Sequence, residues 1–120
     1  MTPREQAHLY VLRLIEDQPG ITQRRLAEQL GVSIGKIHYL LHALLNKGLI
    51  KARSALRSSH RWAYLYTLTP SGLDAKLQLA RAYLVRKEAE YEALCAEIAD
   101  LRTELGVSNA ASRGKPIDAR

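Results

Sequence analysis

Three features of this sequence predict a mainly α-helical fold with one small β-hairpin and a long C-terminal helix. Between residues 2 and 47, three stretches place apolar residues at helical spacing, each opened by a hydroxyl-bearing residue. After Gly48 the spacing changes to that of strands, rich in β-branched and aromatic residues. From Leu73 no proline or glycine intervenes until Gly106, so one helix can run through.

The first helix starts at Thr2-Pro3-Arg4-Glu5. Thr2 can cap, Pro3 suits the first helical position and Glu5 completes a capping box. Leu9, Leu12 and Ile15 form its apolar stripe, broadened by Val11 and Leu14, and it should stop near Gln18, before Pro19-Gly20. Thr22 caps a short second helix through Leu30, with Ile21 and Leu26 as a hydrophobic staple and Gly31 as its end. Ser33 caps the third helix, 34–47, closed by Gly48, with Val32 and Ile37 as its staple. "LIKAR" and "WAYLYTLT" then read as strands around the polar, basic tip "SALRSSH". Thr69-Pro70 opens the last helix, which would run about 54 Å at 1.5 Å per residue. "GVSNAASRGKPIDAR" lacks apolar periodicity and reads as disordered. The expected organisation is 1–69, 70–105 and a tail, 106–120.

Two capped helices separated by "GVS", followed by a basic hairpin, form the winged helix–turn–helix pattern. Charge placement supports a polyanionic partner. Between Gln18 and Gly72 stand eight basic residues (Arg24, Arg25, Lys36, Lys47, Lys51, Arg53, Arg57, Arg61) and one acid, Glu28. From Leu73 to Leu105 the count is five basic against seven acidic. The net charge of +6 is therefore concentrated where double-stranded DNA would be met.

On a helical wheel Ile37, Leu40, Leu41, Leu44 and Leu45 share the core face of the third helix. Gly35, Tyr39, His42 and Asn46 lie opposite, flanked by Lys36 and Ala43. A glycine costs roughly 1 kcal/mol inside a helix. At Gly35 it would let the helix end approach a duplex closely, with its free N–H groups facing a phosphate; the alternatives are relief of packing against the second helix or simple tolerance of a glycine near a cap. Lys36 suits a phosphate or a guanine edge, Tyr39 a thymine methyl, and His42 a base edge or the backbone. Gln23 and Ser33 are candidate phosphate contacts, while Arg57, His60 and Arg61 at the wing, 54–61, suit the minor groove or flanking backbone. Arg24 and Arg25 can equally be solvated surface.

His38 and His42 stand at a metal-binding spacing, but no carboxylate or thiol near them in sequence completes a site, so no metal or cofactor is expected. No Ser–His–Asp arrangement, phosphate loop or paired-carboxylate motif appears, and the protein is read as a non-enzyme. The single Cys95 leaves no internal disulfide and suits a reducing cytoplasm. Charges punctuate the first twenty residues and no apolar run reaches ~20 residues, so neither a signal peptide nor a membrane span is expected.

Along the last helix, Leu73, Leu77, Ala80, Leu84, Lys87, Tyr91, Leu94, Ile98, Leu101 and Leu105 alternate by four and three, a heptad seam broken mainly at Lys87. Leu77, Leu84, Tyr91, Leu94, Ile98, Leu101 and Leu105 are the candidate dimerisation residues. Ile98 at an a position, with Leu94 and Leu101 at d, favours a parallel two-stranded coil. Glu97 and Arg102 would pair across it, whereas an antiparallel pair would oppose Glu90, Glu97 and Glu104. Folding back on the helix's own domain would use the same stripe.

"LAEQLGVSIGKIHYLLHALLNKGLIKAR", "YLYTLTPSGL" and "RKEAEYEAL" together resemble the small MarR-type winged-helix regulators associated with bacterial exopolysaccharide biosynthesis genes. The likeness covers residues 5–105. It implies a bacterial transcriptional regulator acting near such genes, and with the basic motif, the heptad seam and the single cysteine the expectation is a cytoplasmic, dimeric, DNA-binding protein. One departure is plain: a single short helix precedes the motif, where typical MarR proteins have helices on both sides that build a dimer and a ligand pocket. No small-molecule effector is assigned. The other reading is a winged-helix protein-interaction module whose basic face is incidental.

Overall fold

The structure, a computed structural model, describes residues 1–57 and 61–107, without the side chains of residues 56, 57, 61 and 62. The elements run α1 (Pro3–Asp17), α2 (Gln23–Leu30), α3 (Ile34–Asn46), β1 (Ile50–Arg57), β2 (Arg61–Leu68) and α4 (Pro70–Leu105). The fold is the mainly helical one with a hairpin wing and a long last helix that the spacing predicts. The tail expected over 106–120 lies, from residue 108 on, outside the described residues.

Each helix opens as its local chemistry requires. Thr2 and Glu5 complete a reciprocal capping box on α1. Thr22 Oγ1 accepts from the Arg25 amide, and Ser33 Oγ from the Lys36 amide at 3.0 Å. Gly31, at φ 69°, ends α2 in the left-handed region where a side chain would be strained, and turns the chain into α3.

The chain forms two compact units, residues 1–83 and 84–120, a division that does not coincide with the start of α4. The core of the first is built by Val11, Leu12 and Ile15 of α1, Leu26 of α2, Ile37, Leu40, Leu41 and Leu44 of α3, and Ile50 and Tyr66 of the hairpin. Leu45 packs against it, half-buried. Tyr66 also holds the hairpin to the turn before α2: its backbone pairs with Ile21, and its carbonyl accepts the Gly20 amide at 3.1 Å. Within the same unit α4 meets α1 through the Tyr10 and Tyr83 hydroxyls, 3.0 Å apart, and through an ion pair between Lys76 and Glu16.

The strands are longer than the sequence reading expected. Ser54–Arg57, taken as part of the wing tip, are strand residues, paired from Ser54 with Tyr64 to Arg57 with Arg61. Backbone pairing with β2 along the ladder outweighs the turn preference of a serine.

In the second unit α4 is described alone. Leu84, Tyr91, Leu94, Leu101 and Leu105 are all more than half exposed. At the break in the seam, Lys87 Nζ donates to Glu90 at 3.0 Å, and Arg86 Nε donates to the same carboxylate. These two bonds hold the Glu90 carboxyl below its usual pKa. None of the described helices is long and apolar enough to cross a membrane.

Candidate nucleic-acid interface

The core fixes which face of α3 turns outward. Ile37, Leu40, Leu41 and Leu44 are sealed inside, so Gly35, Lys36, Tyr39, His42 and Asn46 are exposed. The sequence wheel and the structure agree on every one of these positions. Lys36 makes no ion pair among the described residues. Neither α2 nor α3 has an acid in its first turn, whereas α1 has Glu5. The positive ends of the two helix dipoles are therefore left uncompensated.

Space at Gly35 is open. A Cβ built there would meet only Ser33 Oγ, at 3.9 Å, an ordinary contact. Packing against α2 is thus not what excludes a side chain. Ser33 itself spends an oxygen lone pair on the cap of α3, and its hydroxyl proton remains to donate outward.

Tyr39 is 59% exposed, but its ring is not open on both faces: the Arg4 guanidinium lies over it, 5.7 Å from the centroid. The His38 and His42 rings meet edge-on at 4.4 Å. Among the described residues no group of three or more His, Cys, Asp or Glu side chains could hold a metal.

The remaining predicted residues are more scattered. Gln23, half-buried, begins α2. Arg25 reaches Glu28 at 3.8 Å with both side chains largely in solvent, a pair worth at most about 1 kcal/mol. Arg57 and Arg61 face each other across the ends of β1 and β2, their side chains outside the described residues, as is the whole of His60.

Two further cations belong to this surface: Lys47, counted above with the basic segment, and Arg4, which is not part of that segment. Arg4, of α1, and Lys47, the C-cap of α3, line an open groove of about 350 Å³ with Tyr39, His42, Ala43 and Asn46. Arg4 lies outside the helix–turn–helix segment, so no local motif pointed to it. His8, one turn along α1 from Arg4, is only 5% exposed, and its Nε2 has no hydrogen-bond partner among the described residues. Burial first, then Lys47 and Arg4, hold its imidazole below the usual histidine pKa, with Glu5 opposing. Its place was legible: His8 precedes Val11, Leu12 and Ile15 at helical spacing.

Comparison with known proteins agrees with this fold. Residues 5–51 match the family described as winged helix-turn-helix DNA-binding. The HTH-type transcriptional regulator PetP of Rhodobacter capsulatus is 32% identical over 87 residues, 72% of this chain. The chain spans about half the length of that curated relative, 51%. A PadR-like transcriptional regulator from Bacillus cereus has the same fold, with a TM-score of 0.67, 19% identity, and coverage of 73% of this chain and 90% of that one. So does the transcriptional repressor CouR, solved bound to a 23-mer DNA duplex, with a TM-score of 0.62, 24% identity, and coverage of 84% and 74%. The chain has the winged helix–turn–helix fold, and it is the segment 5–51 that matches the winged helix-turn-helix DNA-binding family.

Proposed function

We propose that this chain is a sequence-specific, dimeric, DNA-binding transcriptional regulator. The observation that carries the reading is the outward face of α3: open at Gly35, basic at Lys36, aromatic at Tyr39, and free of acids. In this reading the first turn of α3 enters the major groove. Gly35 permits close approach, and Tyr39 and His42 meet base edges. Lys36, Ser33 and Gln23 hold phosphates, and Arg57, His60 and Arg61 of the wing take the minor groove or flanking backbone.

The dimer runs through α4. Its exposed stripe of Leu77, Leu84, Tyr91, Leu94, Leu101 and Leu105, with Ile98 half-buried, is what a second copy would cover. A monomer at micromolar concentration in sedimentation equilibrium would remove that half of the proposal. The sequence resemblance to MarR-type regulators near exopolysaccharide genes supports the finer reading of its targets, and half-sites upstream of such genes would be the mark to seek.

Titrating a labelled duplex against salt tests the DNA reading. Counterion release makes log K fall with log salt by about 0.9 for each phosphate held; a slope near zero would refute it. Lys36→Ala should weaken all duplexes alike. Tyr39→Ala should relax preference at one or two base positions, by about 1–3 kcal/mol against the best site. A selection profile unchanged in that variant would show that Tyr39 does not read bases.

A further inference from the structure

The groove between α1 and the last turn of α3 gathers two cations that the reading above does not use, and neither has a counter-charge. Arg4 and Lys47 line it, and neither makes an ion pair among the described residues. The other lining groups that can hydrogen bond are the Tyr39 hydroxyl, the His42 imidazole and the Asn46 amide. Like charges brought together on one wall repel each other, and an anion between them relieves that.

The length of α3 decides which part of a duplex this groove would meet. Gly35 and Lys47 are separated by about 18 Å at 1.5 Å per residue. The major groove is about 12 Å wide and 8.5 Å deep. With α3 entering the groove end-on and its first turn among base edges, its last turn lies beyond the groove wall, at the level of the sugar–phosphate strand.

We infer that the Arg4–Lys47 groove seats a backbone phosphodiester of the bound duplex, which makes α1 part of the DNA footprint and Arg4 a clamp on Tyr39. The inference rests on the DNA-binding reading. Arg4 acts twice. Its guanidinium covers one face of the Tyr39 ring, limiting the ring's orientations, and its free N–H groups take the phosphate from the side. Lys47 closes the seat from the C-cap of α3. Neither residue reaches a base, so the seat adds affinity and register without sequence preference.

His8 offers a built-in gauge. It is buried one turn along α1 from Arg4, and it feels Lys47 and Arg4, with Glu5 opposing them. An anion seated between the two cations would cancel part of their field, so the His8 pKa should rise when the seat fills.

The test uses the full chain, a random-sequence duplex and three variants, Arg4→Gln, Lys47→Gln and both together. The double variant should lower the salt slope by about 0.9, the value for one phosphate held, and each single variant by part of that. At 0.15 M salt the double variant's slope change weakens binding about fivefold, counted from the 1 M reference at which the counterion effect vanishes. The His8 Cε1–H resonance, followed by NMR against pH, should show the pKa rising with duplex and staying put with inorganic phosphate at equal ionic strength. A normal wild-type slope left unchanged in the variants would overturn this inference alone. A wild-type slope near zero would overturn it together with the DNA-binding reading. If inorganic phosphate moved His8 as far as the duplex does, the groove would be a site for a small free anion instead.

Discussion

The first turns of α3 and α4 each contain a glycine behind a hydroxyl cap, and the two glycines have opposite surroundings. At Gly35 an added Cβ would find open space, with Ser33 Oγ at 3.9 Å as its nearest neighbour. At Gly72 it would lie 1.9 Å from the Leu49 carbonyl oxygen and 2.9 Å from the carbonyl carbon. The start of α4 is pressed onto the turn between α3 and β1; the start of α3 is pressed onto nothing the chain provides. One glycine is required by the fold, and the other is available to a partner. Identical local signals in a sequence can therefore mark either an internal contact or an external one, and only the surroundings distinguish them.

The largest effect should come from filling the closed site. Gly72→Ala places a methyl group against backbone, which cannot rotate aside. Either α4 lifts off the Leu49 turn or the turn itself moves. We expect a loss of about 3 kcal/mol or more, or a melting temperature lowered by more than ~12 °C for a domain of this size. A thermal melt within a few degrees of wild type would break the contrast between the two turns.

The caps should differ in the same direction by a smaller amount. Thr69 Oγ1 accepts the Gly72 amide at 3.0 Å and donates to the Gly48 carbonyl at 2.7 Å, so it both caps α4 and ties it to the turn after α3. The Thr69 amide adds a bond to the Leu49 carbonyl at 3.1 Å. Ser33, fully on the surface, only caps. Thr69→Ala should cost about 2 kcal/mol and Ser33→Ala about 1 kcal/mol or less, the upper and middle parts of the range for lost caps. Equal costs in urea denaturation would mean that the tether to Gly48 contributes nothing.

This pair of turns also shows where the sequence was readable. Every helix cap was legible, because Thr2, Thr22, Ser33 and Thr69 act through residues two or three positions on. The core face of α3 was legible because periodicity within one helix determines it. What was not legible depends on distant partners. Gly72 drew no notice because Leu49 lies remote in sequence and nothing local marks the contact. The strand residues Ser54–Arg57 were hidden because their pairing is set by β2. Arg4 was missed because its meeting with Tyr39 depends on how α1 packs beside α3.

The smallest effect on stability, and the most telling one, belongs to Gly35. Leucine has the better helix propensity, and at this position its Cβ meets only ordinary contact. Gly35→Leu should therefore leave the fold intact and raise stability by a few tenths to ~1 kcal/mol. If the open space is kept for a duplex, the same substitution should sharply weaken DNA binding, because the new side chain stands between the helix end and the groove floor. Two measurements on one variant separate the causes. A raised or unchanged melting temperature with affinity lost assigns the glycine to the partner. A lowered melting temperature, with affinity per folded molecule unchanged, would place Gly35 beside Gly72 as a residue the fold itself demands.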